Sequence, residues 1–404
     1  MDPAVSTFGL EPMSSTVSGP NVAATLAQYV SPHGTRAFII TDAGVSGAGI
    51  VKPITDALTT AGMKWQVFDQ VSPNPTDVNV AAGVAAINKF GLDGTVVVLV
   101  GGGSVMDCGK YIALAAPNGV NHVGLAFAPD LDANDRIDFS TLAPKASASK
   151  PGLPTIAIPT TSGTASETNG GGLITDTMTN PANHRKLTFS NPSVRPRTIL
   201  LDPTLTVGMP AKGTAACGMD VLTHAIEAYT SVQSNPYADA LALHAIRLVA
   251  KYLPTAVTNG ADLEARAQMQ LASHLAGRAF SSGPLLGLVH ATGHPISGQL
   301  HQAHGQTLAT MLPHVMRFNR DVVAERYANV GQALGSEIDP DAAIAAVEKL
   351  SKTVGTNKKL SELGATSDNI AALTQDALRD LIILNTPRYP TRGEVHELYA
   401  KALQ

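Results

Sequence analysis

Cysteine, aromatic residues and charge are all scarce in this 404-residue sequence, and each scarcity argues against a class of protein. Cys108 and Cys217 are the only cysteines, so we expect no disulfide framework and a reducing compartment. Aromatic residues make up 4% of the chain, too few for a platform that stacks single-stranded nucleic acid. The net charge of −4 gives no electrostatic reason to expect nucleic acid or an anionic membrane as a partner.

Long apolar runs are also missing from the sequence. We see none that approaches the ~20 residues of a membrane span, and residues 1–5 lack the basic and apolar regions of a signal peptide. These features predict a cytoplasmic protein. The apolar fraction of 44% and the charged fraction of 15% are typical of a globular chain, and 404 residues are enough for two domains.

The first half of the chain alternates short β-branched runs with alanine-rich helical runs, which predicts a parallel α/β sheet. The predicted strands are Ala37–Thr41, Lys64–Phe68, Thr95–Val100 and Thr155–Ile158. The predicted helices lie near Val22–Tyr29, Ile50–Ala61, Val78–Phe90 and Val105–Ala115. Residues 1–20 are expected to be irregular, and residues 117–152 are expected to form a surface excursion without an assigned role.

From Pro210 onward the sequence shows long helical patterns and almost no strand pattern. The predicted helices include Tyr237–Tyr252, Leu263–Ala276, Gln306–Phe318, Asp339–Lys352 and Gln375–Ile383. Pro and Gly residues between Asp202 and Pro210 interrupt the strand pattern and the helical pattern alike, and they predict a hinge. We therefore predict an α/β domain over residues 1–206 and an all-helical domain over residues 207–404.

Polar and glycine residues follow the predicted strands, at the strand ends where parallel sheets bind ligands. Gly101–Ser104 follows the third strand, where glycines and a helix N-terminus could receive a phosphate. Thr160, Thr161 and Thr164 follow the fourth strand and could form a capped turn or contact a ribose or pyrophosphate. Asp42 follows the first strand, either as a turn residue or as a ribose ligand. The hydroxyl side chains at these neighbouring strand ends would line one crevice.

Histidine and aspartate residues recur at helical spacing in the second half. Asp220 and His224 lie four residues apart in an apolar run, so they would share one face of a helix. His290 and His294 repeat this spacing, and His304 follows. An isolated helical histidine is more often a hydrogen-bonded core or surface residue. A buried carboxylate is costly unless it is paired or binds a metal, however, so the set predicts a divalent metal site.

Three motifs carry a family resemblance: G-x-D-x-L-x-H-A-x-E from Gly218, G-L-V-H-x-x-x-H-P from Gly287, and H-x-x-H-G from His301. They resemble the iron-containing, group III alcohol dehydrogenases, and the resemblance extends from the Asp42 region to Tyr399. It implies an α/β dinucleotide-binding domain, an all-α metal-binding domain, and an NAD(P)-dependent oxidoreductase that interconverts a small alcohol and its aldehyde or ketone.

The resemblance also implies roles for particular residues. The expected metal ligands are Asp220, His224, His290 and His304. The expected cofactor residues are Asp42, Asn74, Gly102, Gly103, Ser104, Asp107, Thr160, Thr161, Thr164 and Lys186. His294 is expected to relay a proton or orient the substrate, and Pro295 is expected to end its helix. We also expect a homo-oligomer, a dimer or larger.

The carboxylate of Asp42 would repel the additional phosphate of NADP, so NAD is the expected cofactor. One aspartate with three histidines suits Fe(II) and Zn(II) alike, and the resemblance favours Fe(II). One alternative is a cyclase similar to dehydroquinate synthase, which would need a cluster of Lys and Arg that the flanking segments lack. The other is a non-catalytic metal-binding protein, whose site would ordinarily be closed and rich in cysteine.

The sequence departs from the family pattern in four places. Ala165 stands where glycine is common, Gly170–Gly172 is smaller than its usual counterpart, and residues 117–152 form a long excursion. One extra residue stands between Phe280 and His290, where the substrate is expected, so this departure bears on the identity of the substrate.

Overall fold

The computed structural model of the chain describes residues 8–10, 13–179 and 184–404. Residues 1–5, which bear on the expected absence of a signal peptide, lie outside the described residues. The strands are β1 Ser15–Ser18, β2 Arg36–Ile40, β3 Lys64–Phe68, β4 Thr95–Gly101, β5 Thr155–Pro159, β6 Gly171–Asp176, β7 Arg185–Ser190 and β8 Thr198–Leu201. The helices of the first half are α1 Ala27–Val30, α2 Ala43–Gly47, α3 Lys52–Thr60, α4 Asp77–Phe90 and α5 Gly103–Ala115.

The second half of the described chain is helical throughout. Its helices are α6 Ala211–Thr230, α7 Pro236–Thr258, α8 Leu263–Ser281, α9 Leu288–Gln299, α10 His304–Asn319, α11 Ala324–Ala333, α12 Pro340–Thr353, α13 Ile370–Leu378 and α14 Arg392–Ala402. Short 3₁₀ segments are Val22–Thr25, Ala116–Asn118, Val123–Leu125, Phe139–Thr141, Ser166–Thr168, Pro192–Val194, Pro203–Thr206, Leu360–Leu363, Ser367–Asn369 and Leu381–Asn385. The predicted fold class is confirmed, and the division between residues 206 and 207 stays a prediction.

The main sheet has six strands in the order β1-β8-β5-β4-β2-β3, and every pair in it is parallel. After β3 the chain returns to the other side of β2, so sheet growth reverses direction between β2 and β4. Such a reversal opens a crevice at the carboxyl ends of the two strands, where ligands bind in open α/β sheets. The crevice lies between Asp42, after β2, and Gly102, after β4.

Both faces of this sheet are covered, because side chains alternate along each strand. On β2, Phe38 and Ile40 join a cluster with buried side chains of α4 and α5. Their neighbours Ala37 and Ile39 point the other way, into a cluster with α1 and α3. This double burial explains why the central strands are continuous apolar runs and could be predicted from sequence.

The helical half is organised around α6, which packs against α7, α8 and α10. Its middle and C-terminal turns are almost wholly buried, including Asp220 and His224. Helix α7 has the length and mean hydropathy, 1.2 over its most apolar window, of a membrane span, which the sequence analysis did not anticipate. Its apolar face, with Ala242, Ile246 and Val249, is buried in the helical core. The composition of α7 is therefore that of a core helix.

Residues 126–142 of the expected surface excursion cross to the helical half, and we call this segment the strap. Ile137 is 4% exposed and joins the core of the helical half, and Leu131 packs against the same core. The tip of the strap carries Asp135, whose carboxylate accepts two hydrogen bonds from Arg392 of α14. The excursion is therefore partly buried, because two apolar side chains anchor it across the two halves.

Four strands of the described chain were not expected from the sequence. β1 lies within the region expected to be irregular and pairs with β8, which was also missed. β6 and β7 form a separate antiparallel hairpin. β1 is a short, polar Ser-Thr-Val-Ser segment, so it is a strand only because its partner supplies the hydrogen bonds.

Two predicted helices are divided in the structure, and the helices predicted over Tyr237–Tyr252 and Leu263–Ala276 extend further, to Thr258 and Ser281. Residues predicted as one helix near Val22–Tyr29 form a 3₁₀ turn followed by the four-residue α1. The helix predicted over Gln375–Ile383 instead begins earlier, ends at Leu378, and is followed by a separate 3₁₀ segment whose N-cap is Asp380.

Pro295 lies inside α9 and does not end it, contrary to the expectation. A proline removes one helical hydrogen bond and crowds the preceding turn. Carbonyls of that turn receive other donors: the hydroxyl of Tyr399 donates to Thr292 O at 2.7 Å, and that of Thr307 to Gly293 O at 3.2 Å. The surrounding helices thereby support the continuation of α9 through the proline.

Candidate active site

The glycine turn after β4 and the threonine loop after β5 pack directly on each other. Gly102 is the N-cap of α5 and Gly103 its first residue. A Cβ at Gly103 would lie 2.5 Å from Cγ2 of Thr164, and one at Gly102 would lie 3.0 Å from Cγ2 of Thr161. Side chains at either glycine would push the two loops apart. Glycine is therefore required here for the close packing of the two loops.

Other residues predicted for the cofactor gather at the same end of the sheet. The amide of Asn74, in the left-handed region at φ 52°, donates to the hydroxyl of Ser104 at 3.3 Å. The amide of Thr160 donates to Gly101 O at 3.0 Å. Asp42 caps α2 by accepting from the amide of Val45 at 2.9 Å. The strand ends thus present several predicted cofactor residues in one crevice.

Asp107 and Lys186 lie deeper, between this crevice and the helical half. The carboxylate of Asp107 accepts from the amide of Leu173 at 2.9 Å and from the hydroxyl of Ser166, so it already has protein partners. Lys186, on β7, lines a cleft together with His294. Burial lowers the pKa of Lys186 to about 8, against the opposing influence of the nearby carboxylates.

A buried lysine beneath the threonine loop was missed by the sequence analysis. The Lys110 side chain is 0% exposed, and its ammonium donates to the backbone oxygen of Ser166 at 2.7 Å and to that residue's hydroxyl at 2.6 Å. It also donates to Gly171 O and lies 3.7 Å from a carboxylate oxygen of Asp107. The only sequence signal was its position three residues after Asp107, on the same face of α5. Lys110 joins α5, the loop and the β6–β7 hairpin.

The predicted metal ligands converge from three helices. Oδ1 of Asp220 lies 3.4 Å from Nε2 of His224, 3.8 Å from Nε2 of His290 and 3.7 Å from Nε2 of His304. Candidate ligand atoms of Asp220, His290 and His304 all lie within 4.8 Å of one another. His224 is close to Asp220 but lies outside this mutual grouping. Asp220 and His224 lie on α6 and His290 lies on α9. His304 is the first residue of α10.

Two buried atoms of this cluster indicate whether its residues fit a cation. Oδ1 of Asp220 and Nε2 of His290 are buried and have no hydrogen-bond partner among the residues that the structure describes. Leaving such atoms unpartnered costs free energy, and a divalent ion between them would satisfy both. One carboxylate with several imidazoles is a donor set that first-row divalent ions accept. The residues therefore fit a metal ion.

Electrostatics give most of these residues the protonation state that a metal needs. Burial lowers the pKa of His224 to about 4 and the pKa of His304 well below its ordinary value. Burial opposes ionisation of Asp220, but the surrounding histidines hold its pKa below the ordinary value. Burial also acts to lower the pKa of His290, yet Glu227 and Asp220 raise it to about 9. The cluster therefore offers one carboxylate and two neutral imidazoles at neutral pH.

Glu227 orients His290 and was given no role from the sequence. Its Oε2 accepts from Nδ1 of His290 at 2.5 Å, and its Oε1 accepts from the amide of Val289 at 2.6 Å. A carboxylate that binds the outer nitrogen of an imidazole turns the other nitrogen toward a metal. The signal was present in the sequence, because Glu227 follows Asp220 by seven residues, two helical turns on the same face.

His294 lies one turn beyond His290 and points its Nδ1 at a second carboxylate. Nδ1 of His294 is 2.5 Å from Oδ2 of Asp380, and both side chains are buried. The imidazole rings of His294 and His304 stack with centroids 5.3 Å apart. The structure thus brings His294 to the edge of the cluster. No spacing in the sequence links Asp380 to a histidine 86 positions earlier.

Comparisons with known proteins agree with this geometry. Residues 13–203 match the family model described as iron-containing alcohol dehydrogenase, and residues 214–403 match the C-terminal model of the same family. The chain is 39% identical to "Probable alcohol dehydrogenase EutG" of Escherichia coli (strain K12) over 400 residues, covering 98% of this chain and 95% of that protein.

Solved structures give the same result. A crystal structure of 1,3-propanediol oxidoreductase matches with a TM-score of 0.88 and 35% identity, covering 98% of this chain and 100% of that one. The sulfoacetaldehyde reductase of Bifidobacterium kashiwanohense in complex with NAD⁺ matches with a TM-score of 0.83 and 28% identity, covering 99% of each chain. With both halves of the chain matched, this protein belongs to the iron-containing alcohol dehydrogenase family and is an oxidoreductase of alcohols and aldehydes.

Proposed function

We propose that Asp220, His224, His290 and His304 hold one divalent metal ion, Fe(II) in preference to Zn(II). The observation that carries the proposal is a pair of buried atoms, Oδ1 of Asp220 and Nε2 of His290, which have no hydrogen-bond partner among the described residues and lie in a cluster of imidazoles. The donor set suits either ion, and the iron-containing family supports Fe(II). When bound, such an ion supplies Lewis-acid chemistry that polarises the oxygen of the substrate.

The crevice at the switch in the sheet supports NAD as the partner in hydride transfer. Gly102 and Gly103 give the backbone close access to a pyrophosphate at the N-terminus of α5. The hydroxyl side chains there are Ser104, Thr160, Thr161 and Thr164, and the remaining proposed cofactor residues are Asn74, Asp107 and Lys186. We assign Asp42 to the adenosine ribose, where its carboxylate favours NAD over NADP. When bound, NAD would supply the chemistry of hydride transfer with the alcohol carbon.

The residues of the helical half position the substrate beside this cofactor. His294 takes the proton that an alcohol loses on oxidation, because its Nε2 is buried at the edge of the cluster without a hydrogen-bond partner in the described part of the chain. The substrate is a small alcohol with its aldehyde or ketone. Neither the cyclase nor the non-catalytic alternative gains support from the comparisons.

We further propose a homo-oligomer that works in the cytoplasm. Phe8, Leu10 and Met13 are exposed apolar residues that precede the edge strand β1, and such surfaces often mark contacts between chains. The two cysteines, both free, suit a reducing compartment.

Metal analysis of His290→Ala and His304→Ala tests the site. Both variants should lose bound metal and alcohol-dependent reduction of NAD together, because each removes a ligand from the cluster. His244→Ala is the matched control, since that histidine is exposed on α7 and should leave metal and activity unchanged. Full metal occupancy in His304→Ala would overturn the assignment. Loss of stability with retained metal would show that these histidines only pack.

A further inference from the structure

The carboxylate of Asp380 is fixed on both sides. Its Oδ1 accepts from the amide of Ile382 at 3.1 Å, which caps the 3₁₀ segment Leu381–Asn385. Its Oδ2 lies 2.5 Å from Nδ1 of His294. The Asp380 side chain is 10% exposed and that of His294 4%, so little water competes for this contact. A carboxylate held in this way presents one oxygen to the imidazole in one orientation.

This contact decides which nitrogen of His294 carries the proton. An ionised carboxylate can only accept, so Nδ1 must donate, and in the neutral ring Nε2 is then the bare acceptor. Nε2 is buried and has no hydrogen-bond partner in residues 8–10, 13–179 and 184–404, and the ring of His294 stacks on that of His304. The lone pair of His294 is therefore available at the edge of the metal cluster.

We infer that Asp380 is a positioning residue that holds His294 in the Nδ1–H tautomer, so that Nε2 can take the hydroxyl proton of the alcohol. The inference rests on the proposed function, because it requires His294 to be the proton acceptor. In the reaction, the alcohol proton goes to Nε2 and the hydride, with its two electrons, goes to the nicotinamide of NAD. The products are the aldehyde and NADH. His294 is left as a cation beside the ionised Asp380 until it releases the proton.

The cap also has a purely structural explanation, in which Asp380 only stabilises the turn after α13. The two explanations differ for Asp380→Asn. Asn is as good an N-cap as Asp, so its amide oxygen keeps the bond from Ile382. The amide nitrogen then faces Nδ1 and donates to it, which forces the proton onto Nε2. Asp380→Asn should therefore keep the fold and reverse the tautomer.

The test combines kinetics with nitrogen NMR of ¹⁵N-histidine-labelled protein, metal-free and loaded with Zn(II). In Asp380→Asn we expect the His294 signals to change to the Nε2–H tautomer, and kcat to fall about 100-fold. The KM for alcohol and the metal content should stay within two-fold. Asp376→Asn is the matched control: this nearby aspartate binds Gln299 at 2.6 Å, and its replacement should change neither the tautomer nor kcat.

Two outcomes would overturn the inference. One is an unchanged kcat in Asp380→Asn, and the other is a joint loss of metal and activity with the Nδ1–H tautomer retained. If Asp380→Asn does not fold, Asp380→Ser keeps a capping oxygen but cannot reach His294, and it should show the same loss of kcat. His294→Ala distinguishes a failure of the proposed function from a failure of the inference about Asp380. If this variant keeps activity, the proposed role of His294 is wrong. If it loses activity while Asp380→Asn does not, only the role of Asp380 is wrong.

Discussion

Glu227→Gln would show whether the carboxylate behind His290 sets the affinity of the site for metal. In the structure each carboxylate oxygen of Glu227 accepts a different hydrogen bond. Oε2 accepts from Nδ1 of His290 at 2.5 Å, and Oε1 accepts from the amide of Val289 at 2.6 Å. Glutamine has the same shape but only one oxygen. If that oxygen stays on the amide of Val289, the amide nitrogen faces Nδ1 and drives the imidazole proton onto Nε2, the atom needed by the metal.

The expected magnitude follows from what the hydrogen bond does for the ligand. Loss of such an outer carboxylate typically weakens metal binding 10- to 100-fold, which corresponds to about 1.4–2.7 kcal/mol. The imidazole also becomes less basic, because Glu227 is the largest influence that raises the pKa of His290 to about 9. Both changes make His290 a poorer ligand, while the volume of the buried side chain is conserved.

The assay is competition for Zn(II) against a chelator of known affinity, with the melting temperature measured on the same samples. Glu264→Gln is the control, because this carboxylate accepts a bond from Tyr252 at 3.1 Å on the exposed side of α8. A Kd within two-fold of the wild type in folded Glu227→Gln would refute the reasoning, since it would show that the partner of Nδ1 is irrelevant to metal binding.

Three further predictions concern the cofactor, the strap and pH. Asp42→Gly should lower the NAD to NADP ratio of kcat/KM at least ~5-fold, since a carboxylate ~4 Å from the additional phosphate costs ~1–4 kcal/mol. Glycine also caps helices, so losing the Val45 contact costs little, and an unchanged ratio would remove Asp42 from the site. In urea denaturation, Ile137→Ala should destabilise the protein by about 2–4 kcal/mol and Arg392→Ala by less than about 1 kcal/mol; equal losses would mean that the ion pair anchors the strap. Burial raises the pKa of Glu167 from 4.5 to about 7, so the folded chain keeps a proton that the unfolded chain releases. Raising the pH from about 4.5 to 7 should therefore destabilise the wild type relative to Glu167→Gln by about 3 kcal/mol, and parallel melting curves would contradict this.

Elements whose pattern is local were predictable from the sequence. The run Lys64–Phe68 was predicted with the bounds that the structure gives, and the other three predicted strands differ by one residue at one or both ends. Buried parallel strands are continuous β-branched runs, so their pattern does not depend on distant partners. The four-residue spacings of Asp220 with His224 and of His290 with His294 likewise follow from the helical period.

Elements that depend on distant partners could not be predicted in this way. Ser15–Ser18 is a strand because β8 pairs with it, and α9 passes through Pro295 because Tyr399 and Thr307 supply donors to the crowded turn. The strap is part of the helical core because Ile137 finds an apolar site there. In each case the stabilising contact comes from a segment far away in the chain.

The sequence by itself determined the family, the order of the two halves, and candidate ligands at helical spacing. It could do so because residue type and period are local properties. The tertiary structure decided that Glu227 stands behind His290 and Asp380 behind His294, and that the two buried atoms of the cluster face each other. These relations arise where helices far apart in the chain exclude water, which makes each hydrogen bond between them strong and each unpartnered atom costly.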